Sequence, residues 1–246
     1  MTKPHWSYPL YRLGWSGIDW IFPPRCGGCG KTGSRWCKEC QDKVPNLAGP
    51  LCESCGTPVT RVGGTCQRCK ENPPPFRALR SWAAFDFPVR PALHKLKYRR
   101  DMALGDALAV PISQFVDSLQ WTFDIVVPIP LGEKRMKERG YNQVALIAKP
   151  LSLALGRDYR PSALKRKRET RSQVGLSAGE RRDNVHDAFH ADFNLVRGKS
   201  VLVMDDVATT GATLTSSAEA FLQAGANHVY AITVARALPH HGLNLI

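Results

Sequence analysis

The sequence predicts an α/β fold: a parallel sheet interleaved with helices, behind a small N-terminal cysteine-rich module that reads as a zinc ribbon. Three observations carry this expectation. Apolar, β-branched runs alternate with helix-period segments through the second half of the chain, the pattern of a parallel sheet. All eight cysteines fall in the first 69 residues, and all sit in Cys-x-x-Cys pairs. A stiff break, Asn72-Pro-Pro-Pro75, follows the last of them. The boundary is placed there, giving a double metal-binding module over 1–75 and an α/β domain over 76–246.

The elements follow in order. Trp15, Ile18, Asp19 and Phe22 fit a short amphipathic helix packed on the body. Ser81 to Phe87 alternates like a half-buried strand. Pro91 to Tyr98 opens a helix, and Met102 to Leu119 is mostly helical with a start at Pro111, since proline favours the first turn. Asp124 to Ile129 is a β-branched run, read as a buried strand. Tyr141 to Leu155 has helical periodicity. Ser200 to Met204 reads as a parallel strand covered on both faces, because it is apolar without alternation. Thr213 to Ala224 is a helix, and His228 to Ala235 the final strand.

The cysteine pairs are Cys26/Cys29, Cys37/Cys40, Cys52/Cys55 and Cys66/Cys69. Such knuckles place two thiolates on one metal, and two knuckles complete a tetrahedral Zn–S₄ site. Sequential pairing assigns Cys26, Cys29, Cys37 and Cys40 to one structural Zn²⁺ and Cys52, Cys55, Cys66 and Cys69 to a second; interleaved pairing is the alternative. A disulfide framework conflicts with an N-terminus that does not read as a signal peptide. A redox Cys-x-x-Cys would occur once, not four times, and an iron–sulfur cluster fits the two-by-two spacing less well than zinc. The module's core is too small to fold without metal. Scaffolding is its expected role, ahead of docking a nucleic acid or protein through Arg25, Lys31, Arg35, Trp36, Lys38 and Lys43.

The formal charge is +13 and the pI near 9.6, which invites a polyanionic partner. Two Zn²⁺ ions on eight thiolates would lower that charge to about +9, still basic. No run approaches the ~18 apolar residues of a membrane span. The expected location is the cytoplasm.

The most specific stretch is Val201-Leu-Val-Met-Asp205-Asp206-Val207-Ala208-Thr209-Thr210-Gly211-Ala212-Thr213. Two carboxylates stand at the end of a strand, where ligands of open α/β sheets bind. Small residues then lead into a helix N-terminus, where backbone N–H groups can cradle a phosphate. Paired acids can accept hydrogen bonds from two vicinal hydroxyls. Phosphate cradle plus diol acceptor describes a ribose 5-phosphate site.

This stretch resembles the phosphoribosyl pyrophosphate (PRPP) loop of type I phosphoribosyltransferases. The resemblance implies that Asp205 and Asp206 meet the ribose hydroxyls, directly or through Mg²⁺, with a catalytic role at the sugar. It assigns Val207 to Thr213 to the PRPP loop, with Thr209, Thr210, Gly211, Ala212 and Thr213 on the 5-phosphate. Arg135 and Arg139, after the Val126-Val-Pro128-Ile-Pro130 strand end, become candidates for the pyrophosphate. Purine-salvage relatives that use a base-contacting acid carry it where this chain has Thr209, so hypoxanthine or guanine salvage is disfavoured. The basic strip from Lys165 to Arg182 is a candidate lid over the site, or a track for single-stranded DNA, although it holds no aromatic residue for stacking. His186 and His190 read as structural.

Further motifs narrow the resemblance: Phe22-Pro-Pro-Arg-Cys26, His94-Lys-Leu-Lys97-Tyr98, Arg139-Gly-Tyr-Asn-Gln143, Leu164-Lys-Arg166 with Thr170, Gln173, Leu176 and Arg181, and Asn184 with Ala188-Phe189. Together they look like the ComF/GntX family, over almost the whole chain. That family implies a zinc module joined to a phosphoribosyltransferase-type domain and a link to DNA uptake in competence or use of external DNA. Two classes of function follow. One is an enzyme transferring phosphoribose to an unidentified acceptor. The other is an accessory protein that binds PRPP or single-stranded DNA without turnover, with a DNA-uptake protein as a candidate partner.

Overall fold

The computed structural model describes residues 23–47, 49–167 and 188–238. The expected helix around Trp15 to Phe22, His186, and Arg168 to Arg182 of the basic strip lie outside the described residues.

Five parallel strands form the sheet, in the order β1-β7-β6-β2-β3. They are β1 (Ala78–Ala84), β2 (Ile125–Pro128), β3 (Asp158–Tyr159), β6 (Ser200–Ala208) and β7 (His228–Arg236). A two-stranded antiparallel pair, β4 (Leu164–Arg166) with β5 (Phe189–Ala191), stands apart from it. His190 is exposed and lies opposite Lys165 in that pair.

Helices cover both faces, as a parallel sheet requires. On one face α3 (Val89–Tyr98), α4 (Leu104–Ser118) and α6 (Gln143–Ala154) pack on Val126, Leu202, Met204 and Ile232. On the other, α8 (Ala212–Gln223) and the β4–β5 pair pack on Val127, Val201, Val203 and Ala231. Alternate residues of β6 thus supply two cores, which is why its sequence is apolar without alternation. Short helices α1 (Lys38–Asp42) and α2 (Gln67–Glu71) carry Cys40 and Cys69, α5 (Glu133–Arg139) follows β2, and α7 (Phe193–Val196) follows β5.

Some expected bounds move. Helix α4 runs through Pro111 rather than starting there. Leu104 and Leu108 before the proline and Ile112 and Val116 after it are buried in one core, and that packing outweighs one missing N–H. Strand β1 begins at Ala78, three residues before its expected start, because Ala78 to Arg80 pair with Tyr230 to Ile232 of β7. Strand β6 continues to Ala208, so the acidic pair lies inside the strand rather than beyond it.

The ribbon covers the sheet's edge. β1 pairs with β7 on one side only. On its free side Leu79 N donates to Ser54 O at 2.7 Å and Ala84 N to Pro45 O at 2.8 Å. Edge amides that would otherwise invite a foreign strand are therefore satisfied by the cysteine-rich module.

Candidate functional site: a basic cleft and two metal centres

The chain leaves β2 toward β3 and leaves β6 toward β7, in opposite directions across the sheet. The carboxyl ends of β2 and β6 thus flank a crevice at the point where the strand order reverses, the usual ligand position in such sheets. One cleft there is lined by Asp205, Asp206, Val207, Ala208, Thr209, Gly211, Ala212 and Thr213 from β6 and its loop, and by Arg135 and Arg139 from α5. Thr210 turns away from it. Its Oγ1 accepts from Ala212 N at 3.3 Å, and the residue lines a second groove against Pro73–Pro75 and α2. Gly211 precedes α8 with φ 78°, a left-handed conformation that any side chain would strain, and an added Cβ would touch Leu79 Cδ2 at 3.5 Å.

Sequence reasoning gave no role to Lys97, Asn142 and Gln143, which also line the cleft, and Arg166 of the basic strip lines it with them. Lys97 Nζ, at the end of α3, lies 3.0 Å from Asp206 Oδ2. Gln143 Nε2 donates to the same oxygen at 2.8 Å, and Gln143 Oε1 accepts from Arg139 Nη1 at 2.7 Å. Asn142 caps α6 by accepting from Val144 N at 2.9 Å, and its Nδ2 reaches Ile129 O at 2.9 Å, which ties the helix start to the loop after β2. Arg139 also stacks 5.1 Å over the ring of Tyr98, whose residue is 62% exposed. The available signal was the Gly-Tyr-Asn-Gln run, whose capping asparagine fixes which side chains face the cleft.

Because both acids lie within the strand, their side chains leave on opposite faces. Asp206 faces α3 and α6, where Lys97 and Gln143 hold it. Asp205 is on the face of the β4–β5 pair, half-buried, and accepts from the Asp206 amide at 2.8 Å. Burial first, and the neighbouring Asp206 charge second, push the Asp205 carboxyl up to about 7. Burial also acts against the Asp206 charge, but Lys97 and Gln143 outweigh it and hold that carboxyl below its usual value.

These shifts give a pH prediction. Asp205 keeps its proton in the folded protein up to about 7, whereas the unfolded chain loses it near its ordinary value. Its contribution to stability is therefore present at low pH and lost as pH rises through about 7. Asp206 acts in the opposite sense, and only at pH values below the ordinary carboxylate range. Thermal unfolding of the ligand-free protein should show a Tm that falls between about pH 4 and 7 and levels off above, and Asp205→Asn should flatten that fall. An unchanged slope in the variant would place the titration elsewhere.

The cysteines form two sets, Cys26, Cys29, Cys37, Cys40 and Cys52, Cys55, Cys66, Cys69, with the sulfurs of each set within 4.8 Å of one another. The sequential pairing holds. Cys29 and Cys37 sulfurs lie 3.7 Å apart, as do those of Cys55 and Cys66. Tetrahedral zinc with bonds of about 2.3 Å places its sulfurs about 3.8 Å apart, so both sets fit the ion. The two knuckles repeat one turn: Cys26 N donates to Lys31 O and Cys52 N to Thr57 O, both at 2.8 Å. Backbone amides aim at sulfur as well, Cys37 N at Cys26 Sγ and Cys66 N at Cys52 Sγ, at 3.4 and 3.3 Å. Burial opposes the Cys26 charge, but the amides of Cys37, Cys29 and Gly28 more than compensate and bring the thiol to about 6. The centres are two Cys₄ zinc sites with no open ligand position, and so structural. Metal analysis of the purified protein should give about two Zn per chain. Iron, or less than one equivalent of any metal after anaerobic purification, would overturn this.

The phosphoribosyl transferase domain family matches residues 100–241, and the double zinc ribbon domain family matches 17–70. The chain is 34% identical to the DNA utilization protein YhgH of Escherichia coli (strain K12) over 194 residues, 76% of this chain and 85% of that protein. It is 27% identical to competence protein F of Haemophilus influenzae over 82% of this chain and 90% of that one. It is also 27% identical to competence protein ComFC of Bacillus subtilis, over 79% and 81%. Among the described residues no helix is long and apolar enough to cross a membrane. A double zinc ribbon, a phosphoribosyltransferase domain behind it and relatives alike over most of their length make this chain a member of the ComF/GntX family.

Proposed function

We propose that the chain binds PRPP with Mg²⁺ in the cleft between β2 and β6 and serves a ComF-type role in the uptake or use of DNA. The division proposed is a ribbon module to Pro75 and a PRPP-binding domain beyond it. The observation that carries the reading is the joining of Asp205 and Asp206, a glycine-containing loop at a helix N-terminus, and Arg135 and Arg139 in one cleft. The first offers hydroxyl acceptors, the second N–H donors for a 5-phosphate, the third cations for a diphosphate. Lys97 adds a third cation on the Asp206 side. Carboxylate oxygens beside a diphosphate-binding cleft suit Mg²⁺, which keeps water and shares phosphate oxygens. When bound, Mg²⁺ would neutralise charge on the diphosphate as it leaves. The chain's own part is to hold the sugar against Asp205 and Asp206 and to balance the leaving group with Arg135 and Arg139. A carboxylate pair next to the sugar favours positive charge at the anomeric carbon.

The relatives' names support the link to DNA, and a cytoplasmic site of action follows from the reading. The alternative is binding without turnover, of PRPP or of single-stranded DNA. Lys165, Arg166 and Lys167 begin the basic strip, and Arg166 lines the cleft. Tyr98 supplies, beside Arg139, the exposed aromatic ring that the strip lacks.

Titration calorimetry with PRPP and Mg²⁺ tests the first reading: Mg²⁺-dependent heat is expected, and none would overturn it. Pyrophosphate release, screened over nucleobases and single-stranded DNA, separates an enzyme from a binder. The strip is tested by Lys165→Gln, Arg166→Gln, Lys167→Gln and Arg168→Gln together. If DNA binds there, log K against log salt should flatten, since each phosphate contact contributes a slope of about −0.7 on single strands. A lid instead leaves DNA affinity unchanged and shortens PRPP residence. No change in either makes the strip a solvated surface.

A further inference from the structure

Arg236 is the last residue of β7, only 2% exposed, and among the largest fully buried side chains of the described residues. Its guanidinium points into the second cysteine knuckle. Nη2 donates to Cys55 O and Nη1 donates to Thr57 Oγ1 at 3.2 Å, while Nε has no partner. The same Thr57 hydroxyl lies 3.2 Å from Cys55 Sγ. A buried guanidinium normally faces a carboxylate, because neutral carbonyls do not repay the loss of hydration. Among the described residues no carboxylate forms an ion pair with Arg236.

A zinc ion with four thiolates carries a net charge of about −2. We infer that Arg236 is the charge partner of the second zinc centre and the strut through which that centre holds the phosphate loop; the second half rests on the PRPP reading. Burial, and Arg68 to a lesser degree, act against the Arg236 charge, and the sulfurs of Cys55, Cys52 and Cys66 favour it. Among the described residues the first centre has no cation buried like Arg236: Lys31 is exposed and paired with Glu39, and Lys95, half-buried, donates from Nζ to Cys26 O at 2.7 Å. Its Cys29 is exposed.

The strut is one residue long. Arg236 stands opposite Ala84 of β1 and opposite Ala208 of β6. Ala237 N donates to Ala208 O at 3.0 Å, and Thr209 follows directly. A second strand runs parallel to it. Leu79 N donates to Ser54 O in the knuckle, and Leu79 Cδ2 fills the space over Gly211. Gly56, with φ +67°, allows that approach, since a Cβ there would fall 2.6 Å from Leu79 O. The metal, the strand ends and the loop are therefore in one packed chain of contacts.

The test compares Arg236→Gln, which keeps a donor and loses the charge, with Arg236→Lys, which keeps the charge. Native mass spectrometry counts zinc per chain against a zinc-selective chelator. Arg236→Gln is expected to lose one ion at about tenfold lower chelator and keep the other as in the wild type, the range seen when groups supporting metal ligands are removed. Arg236→Lys should recover most of that retention. Retention of both ions by Arg236→Gln, equal loss of both, or no recovery with lysine would overturn the charge role. In the wild-type chain, which avoids any failure of the variant to fold, saturating PRPP with Mg²⁺ should protect one ion from the chelator and not the other, because coupling between two ligands is reciprocal. Calorimetric binding of PRPP with no protection of either ion would overturn the strut. If PRPP gives no binding heat, the PRPP reading fails and takes the strut with it, while the metal counts on the two variants still decide the charge role.

Discussion

Changing Asp205 and Asp206 together to Asn is expected to weaken Mg²⁺-dependent PRPP binding at least about tenfold, roughly 1.4 kcal/mol. The substitution keeps shape and removes two charges. One loss is direct, since an amide binds a divalent cation poorly and offers one acceptor oxygen where a carboxylate offers two. The other is indirect. Lys97 and Gln143 hold Asp206 at 3.0 and 2.8 Å, and Gln143 orients Arg139. Neutralising Asp206 therefore also loosens a candidate diphosphate cation. The single variants should separate the two. Asp205→Asn is expected to stabilise the free protein above neutral pH while weakening the ligand, because that carboxyl ionises against burial and a neighbouring charge. Asp206→Asn should lower the Tm, because it leaves Lys97, 21% exposed, beside a neutral amide. Unchanged calorimetric affinity in the double variant, with the Tm showing an intact fold, would move the ligand to another place.

The sheet and the metal sets were legible because each rests on a short-range pattern. Four Cys-x-x-Cys pairs determine their own knuckles, and β6 announces itself by apolar residues on both faces. The loop from Thr209 to Thr213 was legible for the same reason, being one uninterrupted stretch. What escaped was everything set by packing between distant segments. Lys97 reaches Asp206 only because α3 lies across the carboxyl end of the sheet. Gln143 is a polar residue at the start of a helix until α6 is docked. Thr210 sits in the middle of the fingerprint and yet faces the groove behind it, since the left-handed turn at Gly211 rotates successive residues to opposite sides. The apolar run ends the final strand at Ala235, one residue short of Arg236, since a charged residue after such a run carries no strand signal. Pro111 shows the converse error: a local preference for a helix start gave way to apolar residues in register on both sides.

Removing the second zinc site by Cys52→Ser with Cys55→Ser is expected to destabilise the sheet domain as well as the ribbon, with a Tm lower by at least about 20 °C. Structural zinc contributes a large share of the folding free energy of a small module, on the order of 10 kcal/mol, and most of that is lost with the ligands. The loss would stay local if the ribbon were merely tethered, but it is not. The ribbon supplies Ser54 O to the Leu79 amide, and Arg80 Nη1 donates to Cys52 O and Glu53 O at 3.3 and 3.0 Å. Arg236 spans the same turn from β7. Unfolding the knuckle exposes the edge of β1 and strands two arginines, so hydrogen exchange should quicken in Ala78–Ala84 and His228–Arg236. The matched change at the first site, Cys26→Ser with Cys29→Ser, removes Gly27 from its contact with Leu104 and the Lys95 bond to Cys26 O, and should quicken exchange in α3 and α4 instead. Slower or equal exchange in β1 and β7 after loss of the second site, at a Tm near the wild-type value, would mean that the ribbon is an appendage and that the sheet stands without it.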